Sequence, residues 1–356
     1  MSFLIESLGR SVPVPTETLP KCPLCGSEET QFLYWCVDRM NHLPGKFSNV
    51  KCAFCGLVRL SERPTRAGLA YYYPEENYYS YSQLSNFPDP SDKSLKEDIR
   101  RSVISSLGYP VVSNSGVIQI FGPIVNRLFF NKATFGLGDR FPRYVQNGKV
   151  LDVGCGSGVF LSVLKYFGWN VWGVELSRSA AQAARDFHGI DVFVGDLCEA
   201  GFENDFFDYI TFNHSLEHLP NTDEALAEAR RILKPGGTIY IEVPNIESLS
   251  QRISGEFWLH WDCPRHLYGF SPKTLLGFIE RNGFTSIKVN TIRADFYEAD
   301  IKYKREDERK QKLVQTDGLS IADRLRAKAL QLITSLYCKI YRGTGDYICI
   351  FARKEP

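Results

Sequence analysis

The sequence predicts an α/β protein in which a Rossmann-like sheet of seven strands follows a zinc ribbon and is covered by helical segments. From residue 149 onward, strand-like and helix-like patterns alternate, which indicates a largely parallel sheet with helices on both faces. The first of these strands, at 149–153, runs directly into a loop with glycine at every second position, and an apolar helix follows. Near the N-terminus, two Cys-x-x-Cys pairs predict a separate metal-binding module.

Composition narrows the class of protein. The chain has 356 residues, 44% of them hydrophobic, which is enough for two domains with sizeable cores. Its net charge of +1 provides no broad basic field, so nucleic acid is not an expected partner. We expect no transmembrane segment, because no run of about 18 apolar residues occurs. Residues 1–10 lack a basic start followed by an apolar block, so no secretory signal is expected.

The cysteines predict one zinc site in a reducing, cytoplasmic setting. Residues 1–20 are expected to form a flexible tail and residues 21–66 a zinc ribbon. Each Cys-x-x-Cys pair is followed by glycine, which lets backbone amides turn toward the sulfurs, and four thiolates so arranged favour a closed, structural zinc. Cys36 and His42 lie between the pairs and are predicted not to be ligands, and the other cysteines are scattered. The predicted ligands are Cys22, Cys25, Cys52 and Cys55.

Residues 67–145 are predicted to form an aromatic-rich and helical lid or linker. Six tyrosines occur within 71–81, and Tyr78 and Tyr79 are candidates to line a polar substrate pocket. The alternative is that these rings pack between the zinc ribbon and the next domain. Helices are predicted at 96–107 and 117–130. The second is apolar enough for peripheral membrane contact, but cover of the following domain is the favoured interpretation.

Residues 146–356 are predicted to form the main domain, with a helical insertion at 293–345. The insertion separates the last two strands, where a short hairpin would suffice, and the sequence leaves open whether it covers the active site or mediates self-association. The oligomeric state is likewise left open. Strands are predicted at 149–153, 169–175, 191–194, 207–213, 238–243, 285–291 and 346–353, and helices at 179–187, 222–233, 272–282 and 321–341.

The glycine loop indicates the kind of ligand. A dinucleotide fingerprint requires Gly-x-Gly-x-x-Gly, but position 159 is valine. The pattern Asp-x-Gly-x-Gly-x-Gly at 152–158 instead resembles motif I of class I S-adenosylmethionine-dependent methyltransferases. This resemblance covers residues 149–292 and the final strand. It implies a seven-stranded sheet with an antiparallel last strand, and a loop that approaches the amino-acid and ribose parts of S-adenosylmethionine.

Polar residues after successive strands fit the same resemblance, because ligands of such sheets bind at the carboxyl ends of the strands. Glu175 is expected to accept hydrogen bonds from the ribose hydroxyls, and Asp196 from the exocyclic amine of adenine. Asp152 is expected to orient the loop and the ammonium end of the cofactor. The predicted cofactor-binding residues are Asp152, Gly154, Gly156, Gly158, Glu175, Leu176, Asp196, Leu197 and Asn213.

A narrower resemblance comes from the zinc knuckles, the tyrosine-rich stretch and the segment Trp261-Asp-Cys-Pro-Arg-His-Leu267. Together they are similar to zinc-ribbon-bearing methyltransferases found with sugar and polysaccharide biosynthesis, including sugar-nucleotide C-methyltransferases. The insertion at 293–345 departs from a minimal member of that group, which leaves the substrate open.

Two histidines are candidates for the base that a hydroxyl acceptor requires. His218 follows the fourth strand and has an ordinary pKa near neutrality, while Glu217 is placed to orient or polarise it or the substrate. The alternative base is His266, with Arg265 expected to bind a phosphate or carboxylate of the substrate. Packing roles are the competing interpretation for both pairs.

The sequence therefore predicts a cytoplasmic S-adenosylmethionine-dependent methyltransferase with a structural zinc. Its expected acceptor is a polar small-molecule or glycan-linked hydroxyl, most of all a sugar hydroxyl. One alternative is C-methylation of a keto-sugar nucleotide, and another is a catalytically silent zinc-ribbon interaction protein. Methylation of nucleic-acid bases is disfavoured, because an Asn/Asp-Pro-Pro-aromatic segment after the fourth strand is missing and Asn213 is followed by His-Ser-Leu.

Overall fold

A computed structural model describes residues 14–73, 93–111, 113–125, 140–294, 296–312, 319–341 and 343–356. Tyr78 and Tyr79, the predicted pocket-lining tyrosines, lie outside the described residues. The same holds for part of the predicted helix at 117–130.

From residue 149 onward the described elements include every predicted strand. The strands are β1 (Thr16–Thr18), β2 (Thr30–Cys36), β3 (Phe47–Cys52), β4 (Val58–Leu60), β5 (Glu62–Pro64), β6 (Lys149–Val153), β7 (Asn170–Glu175), β8 (Asp191–Val194), β9 (Phe207–Asn213), β10 (Leu233–Pro244), β11 (Tyr268–Gly269), β12 (Thr285–Ile292) and β13 (Tyr347–Arg353). The helices are α1 (Arg66–Leu69), α2 (Leu95–Ser106), α3 (Gly116–Val125), α4 (Val159–Tyr166), α5 (Arg178–His188), α6 (Thr222–Ile232), α7 (Leu249–Ser254), α8 (Pro272–Arg281), α9 (Tyr297–Lys312) and α10 (Ile321–Ile340). Of the elements after residue 149, α7, β11 and α9 were not predicted.

A seven-stranded sheet forms the centre of the fold, in the order β12-β13-β10-β9-β6-β7-β8. Strands β9, β6, β7 and β8 are neighbours and pair in parallel, with Val153 opposite both Phe212 and Val174. Their carboxyl ends therefore lie side by side along one edge of the sheet. The predicted bounds of β6, β8 and β9 are confirmed to the residue.

Strand β10 begins earlier than predicted. The sequence predicted a helix that ends at 233 and a strand from 238, whereas the strand starts at Leu233. The reason is pairing with the end of the chain, since Gly236 N–H donates to the Lys354 carbonyl at 2.8 Å and Lys354 N–H to the Gly237 carbonyl at 3.2 Å. These long-range hydrogen bonds bring the glycine-rich segment into the sheet, although Gly236 keeps a positive φ of 76°.

The predicted zinc ribbon, residues 21–66, is called the N-terminal module below. Its strands β2, β3 and β4 form a second sheet together with β11, in the order β11-β4-β3-β2. Tyr268 and Gly269 of β11 pair antiparallel with Arg59 and Val58 of β4. The N-terminal module thus completes its sheet with residues from far along the chain. Strands β1 and β5 pair separately.

The chain divides into two compact units whose boundaries do not follow the sequence order. One consists of Met1–Glu76, His214–Leu226 and Ile241–Phe351, and the other of Asn77–Asn213, Ala227–Tyr240 and Ala352–Pro356. The glycine loop with β6–β9 belongs to the second unit, and the cysteine pairs and candidate bases to the first. Among the helices that the structure describes, none combines the length and apolarity needed to cross a membrane.

Candidate active site

The glycine loop turns as its sequence requires. Gly154, Gly156 and Gly158 adopt φ angles of 79°, 53° and 78°, a left-handed region that side chains disfavour. Gly154 N–H donates to the Val174 carbonyl at 2.8 Å, which joins the loop to the end of β7. The helix α4 begins directly after Gly158, so the loop presents backbone close to a helix N-terminus.

Glu175 ends β7 and fixes the conformation of this loop. Its Oε2 accepts from Gly156 N–H at 2.8 Å, and its Oε1 accepts from Ser177 N–H at 2.9 Å. Burial raises the pKa of the carboxyl, and backbone hydrogen bonds from Ser177, Gly156 and Leu176 oppose that rise. A carboxylate has about four lone-pair sites, so Glu175 can still accept a hydrogen bond beyond those from these amides.

Two further carboxylates belong to the same unit, one within a parallel strand and one directly after a parallel strand. Asp152 is buried in β6, where Thr211 donates to it at 2.5 Å, and burial raises its pKa to about 6. Asp196 follows β8 and accepts from Cys198 N–H at 3.0 Å, while Glu199 accepts from the Asp196 N–H. This reciprocal pair fixes the turn that carries Asp196 at the carboxyl end of β8.

The two leucines predicted beside the cofactor differ in accessibility. Leu176, directly after β7, is 53% exposed, whereas Leu197 is 2% exposed and already packed. Asn213 ends β9 and is half-buried. Of the two leucines, Leu176 has surface that a bound ring can cover.

In the other unit, the imidazole of His218 has two polar neighbours at Nδ1. Its Nδ1 lies 3.0 Å from the Arg265 carbonyl and 2.8 Å from the Tyr73 hydroxyl oxygen. Because a carbonyl can only accept, a hydrogen bond to Arg265 requires the proton on Nδ1, and in that tautomer Nε2 keeps its lone pair. Burial, followed by the nearby His266, lowers the pKa of His218 to about 4, so the ring is neutral at physiological pH.

His266 is held in the same way, since its Nδ1 lies 2.8 Å from the His260 carbonyl. The rings of His218 and His266 lie 4.5 Å apart between centroids. Glu217 lies next to them and is completely buried, and within the described residues neither of its carboxylate oxygens has a hydrogen-bond partner. Its nearest basic atoms are His214 Nδ1 at 3.5 Å and His266 Nε2 at 3.9 Å.

His214 supplies the charge that balances Glu217. Its Nε2 also lies 3.3 Å from Glu242, and although burial opposes ionisation, these two carboxylates raise the pKa of His214 to about 9. The protonated ring therefore sits between two acids. For the same reason the pKa of Glu217 is lowered despite its burial.

Arg265 does not have the role expected from the sequence. The side chain is 1% exposed, and its donors bind Asp38, Asp262 and the Tyr72 carbonyl at distances of 2.5 to 3.1 Å. Because these contacts engage both terminal nitrogens and Nε, no donor is left for a substrate phosphate or carboxylate. The correction is that the Arg265 side chain anchors the loop that carries His266. The backbone carbonyl of Arg265 contacts His218.

The four predicted zinc ligands converge. Cys22 and Cys55 lie 3.5 Å apart between Sγ atoms, as do Cys25 and Cys52, and all four sulfurs lie within 4.8 Å of one another. A tetrahedral zinc with Zn–S bonds of about 2.3 Å requires sulfur separations of about 3.8 Å, so the cluster fits this metal. Cys36 lies elsewhere, with its Sγ 2.6 Å from that of Cys263.

A second group of possible metal ligands consists of Glu217, His218 and His266, whose ligand atoms also lie within 4.8 Å of one another. Here, however, the protonated His214 already compensates the carboxylate, and the two imidazoles provide proton-accepting Nε2 atoms without a metal.

Two residues that contact His218 or Glu217, namely Tyr73 and His214, were not predicted from the sequence. Tyr73, whose hydroxyl contacts His218, belongs to the tyrosine-rich stretch, but the stretch offered no reason to prefer it over its neighbours. His214 adopts a positive φ of 51°, which is uncommon for histidine and occurs where β9 ends. The signal available was its position one residue after Asn213 and three before Glu217.

Comparison with known proteins finds similarity to methyltransferases. Residues 126–289 match a family model described as a methyltransferase domain. The ubiquinone biosynthesis O-methyltransferase of Ralstonia nicotianae is 28% identical over 148 residues, which cover 38% of this chain and 62% of that protein. The demethylmenaquinone methyltransferase of Staphylococcus saprophyticus is 36% identical over 98 residues, which cover 26% of this chain and 42% of that protein. A solved S-adenosylmethionine-dependent methyltransferase from Archaeoglobus fulgidus has 25% identity and a TM-score of 0.41, covering 58% of this chain and 86% of that one.

Residues 126–289 are therefore similar to a methyltransferase domain, in agreement with the resemblance found in the sequence of this segment. The match spans less than two thirds of the length of either curated relative. The names of these three proteins mention no sugar or polysaccharide.

Proposed function

We propose that this protein transfers a methyl group from S-adenosylmethionine to a hydroxyl of a polar small-molecule or glycan-linked acceptor, with His218 as the base. The observation that carries the proposal is the neutral imidazole of His218, whose Nδ1–H is fixed by the Arg265 carbonyl and whose Nε2 keeps its lone pair. The relative named as an O-methyltransferase supports oxygen as the accepting atom.

The residues at the carboxyl ends of β6–β9 fit the donor. Glu175 keeps acceptor capacity for the ribose, and Asp196, which follows β8, is proposed to accept from the adenine amine. Leu176 offers exposed apolar surface to the adenine ring. Bound S-adenosylmethionine supplies an activated methyl group on a sulfonium, so the protein has to align the acceptor and accept a proton.

In this proposal the acceptor loses its proton to the histidine cluster, which consists of His214, His218 and His266 around Glu217. His218 Nε2 takes the acceptor proton, and the positive charge that forms on the ring is stabilised by the buried Glu217 beside it. Tyr73 shares the Nδ1 proton and limits rotation of the ring. His266, held with the same tautomer, is the alternative base.

We further propose that Cys22, Cys25, Cys52 and Cys55 bind one structural zinc. The sulfur separations match a tetrahedral site, and Gly26 and Gly56 turn the backbone after each pair with φ of 77° and 84°. A sugar hydroxyl remains the preferred acceptor because of the narrower sequence resemblance.

Two measurements test the proposal. Calorimetry should detect binding of S-adenosylmethionine, and no binding would support a catalytically silent scaffold instead. Methyl-labelled S-adenosylmethionine should then label a hydroxyl compound in a panel of nucleotide sugars, oligosaccharides and phenols. The methyl resonance of the product in NMR distinguishes an O-methyl from a C-methyl group, and a C-methyl product would replace the O-methyl proposal with carbon methylation.

A further inference from the structure

Helix α10 exposes a continuous row of large apolar side chains, which we call the α10 stripe. Successive helical residues are rotated by about 100°, so the members of the row fall within an arc of about 100°. Each is between 55% and 80% exposed. The stripe consists of Ile321, Leu325, Leu332, Leu336 and Ile340.

The opposite face of α10 is already occupied. Asp323, Ala327 and Thr334 are buried there. Arg305 of α9 binds Asp323 at 3.0 Å, and the Tyr297 hydroxyl lies 2.6 Å from Thr334 Oγ1. These contacts fix the rotation of the helix about its axis, so the outward direction of the stripe follows from polar contacts on the other face.

Basic side chains line both margins of the stripe. Arg324, Lys328 and Lys339 fall along one margin and Arg326 along the other, and all four are exposed. Within the described residues none of the four forms an ion pair. The one acidic residue of α10, Asp323, lies on the buried face. The exposed part of α10 therefore combines apolar and cationic side chains without an acid.

We infer that the α10 stripe lies on an anionic lipid surface. An amphipathic helix of this composition binds in the plane of a bilayer, with apolar residues among the acyl chains and basic heads at the phosphates. A second copy of the chain fits less well, because pairing two α10 stripes brings basic margins together with no acid to neutralise them. The inference is independent of the acceptor and of the proposed base.

The test is co-sedimentation of the full-length protein with vesicles of phosphatidylcholine alone or with about one third phosphatidylglycerol. We expect binding to the anionic vesicles, weakened when salt is raised, and little binding to neutral ones. The variant Leu325→Gln/Leu332→Gln/Leu336→Gln and the variant Arg324→Glu/Lys328→Glu should each reduce the partition coefficient by about tenfold or more.

Matched controls separate the helix from general surface effects. Phe187→Gln removes an apolar side chain that is 72% exposed on α5, and Lys273→Glu reverses an exposed charge on α8. Both should bind vesicles like the unaltered protein, and circular dichroism verifies that every variant is folded. Equal binding to both kinds of vesicle, or unchanged binding by the two α10 variants, overturns the inference. The inference is also overturned if the protein does not bind vesicles and instead forms a dimer that the triple leucine variant dissociates.

Discussion

Arg265 binds Asp38 through two parallel hydrogen bonds, from Nη1 to Oδ2 at 3.1 Å and from Nη2 to Oδ1 at 2.9 Å. Both side chains are almost completely buried, at 1% and 3% exposure. The pair joins the N-terminal module to the loop that carries His266 and whose carbonyl orients His218. The module thereby takes part in positioning the candidate base, a role separate from metal binding.

Replacing Arg265 with methionine should destabilise the protein by about 3–5 kcal/mol, because Asp38 and Asp262 would be left as buried charges without a partner. Chemical denaturation measures the loss. Lys302→Met, which removes an exposed pair with Glu306, serves as the control and should cost about 1 kcal/mol or less. Unchanged stability of Arg265→Met with a raised KM would instead restore the role of binding substrate.

Replacing His218 with alanine should lower kcat by about 10²–10⁴-fold and leave the affinity for S-adenosylmethionine near normal, because the base acts only in the chemical step. Tyr73→Phe should have a smaller effect, since the Arg265 carbonyl still holds Nδ1–H. With the lowered pKa of His218, kcat/KM of the unaltered protein should stay high well below pH 6. Full activity of His218→Ala would move the role to His266, which His266→Ala then tests.

The sheet could be predicted from the sequence because its signals are local. The apolar strand before a glycine-rich loop fixes β6, and the periodic segments after it fix β8 and β9 to the residue. The polar ends of these strands follow without further information, because parallel strands place them along one edge.

The histidine cluster was predicted only in part because its geometry depends on distant residues. Asp38 and Arg265 are separated by 227 positions, and no local pattern shows that one neutralises the other. The sequence alone does not distinguish an arginine buried in ion pairs from an arginine that binds substrate. Likewise, Tyr73 could not be distinguished from the other tyrosines of its stretch before its hydroxyl was seen beside His218.

Replacing Glu175 with alanine should weaken binding of S-adenosylmethionine by about 10–100-fold. The variant removes the acceptor for the ribose and also the carboxylate that holds Gly156 and Ser177. Calorimetry gives the affinity, and Glu203→Ala, an exposed residue of the same unit, is the control. An affinity equal to that of the unaltered protein would show that the ribose is bound elsewhere.

Stability should decline as pH rises from about 6.5 to about 9, because the pKa of His214 is raised by Glu217 and Glu242 in the folded protein. The folded state then holds a proton that the unfolded state releases above its ordinary pKa. The stabilisation is complete below about pH 6.5 and lost above about 9, with a magnitude on the order of 3 kcal/mol. Thermal unfolding at several pH values measures it, and His214→Gln should flatten the decline. His188→Gln should not, since burial lowers the pKa of His188 and both states are neutral there above pH 7.

Metal analysis should return about one zinc per chain, held by the four clustered cysteines. Cys22→Ser or Cys52→Ser should lose the metal and unfold the N-terminal module, because so short a segment depends on its metal for stability. The loss should also lower activity through the Asp38–Arg265 pair, since the module carries Asp38. Glu217→Gln distinguishes this site from the second group of possible ligands, and it should keep the full zinc content. A second equivalent of metal that disappears in Glu217→Gln would show that the histidine cluster binds a cation, and the proton-accepting role of His218 would then have to be abandoned.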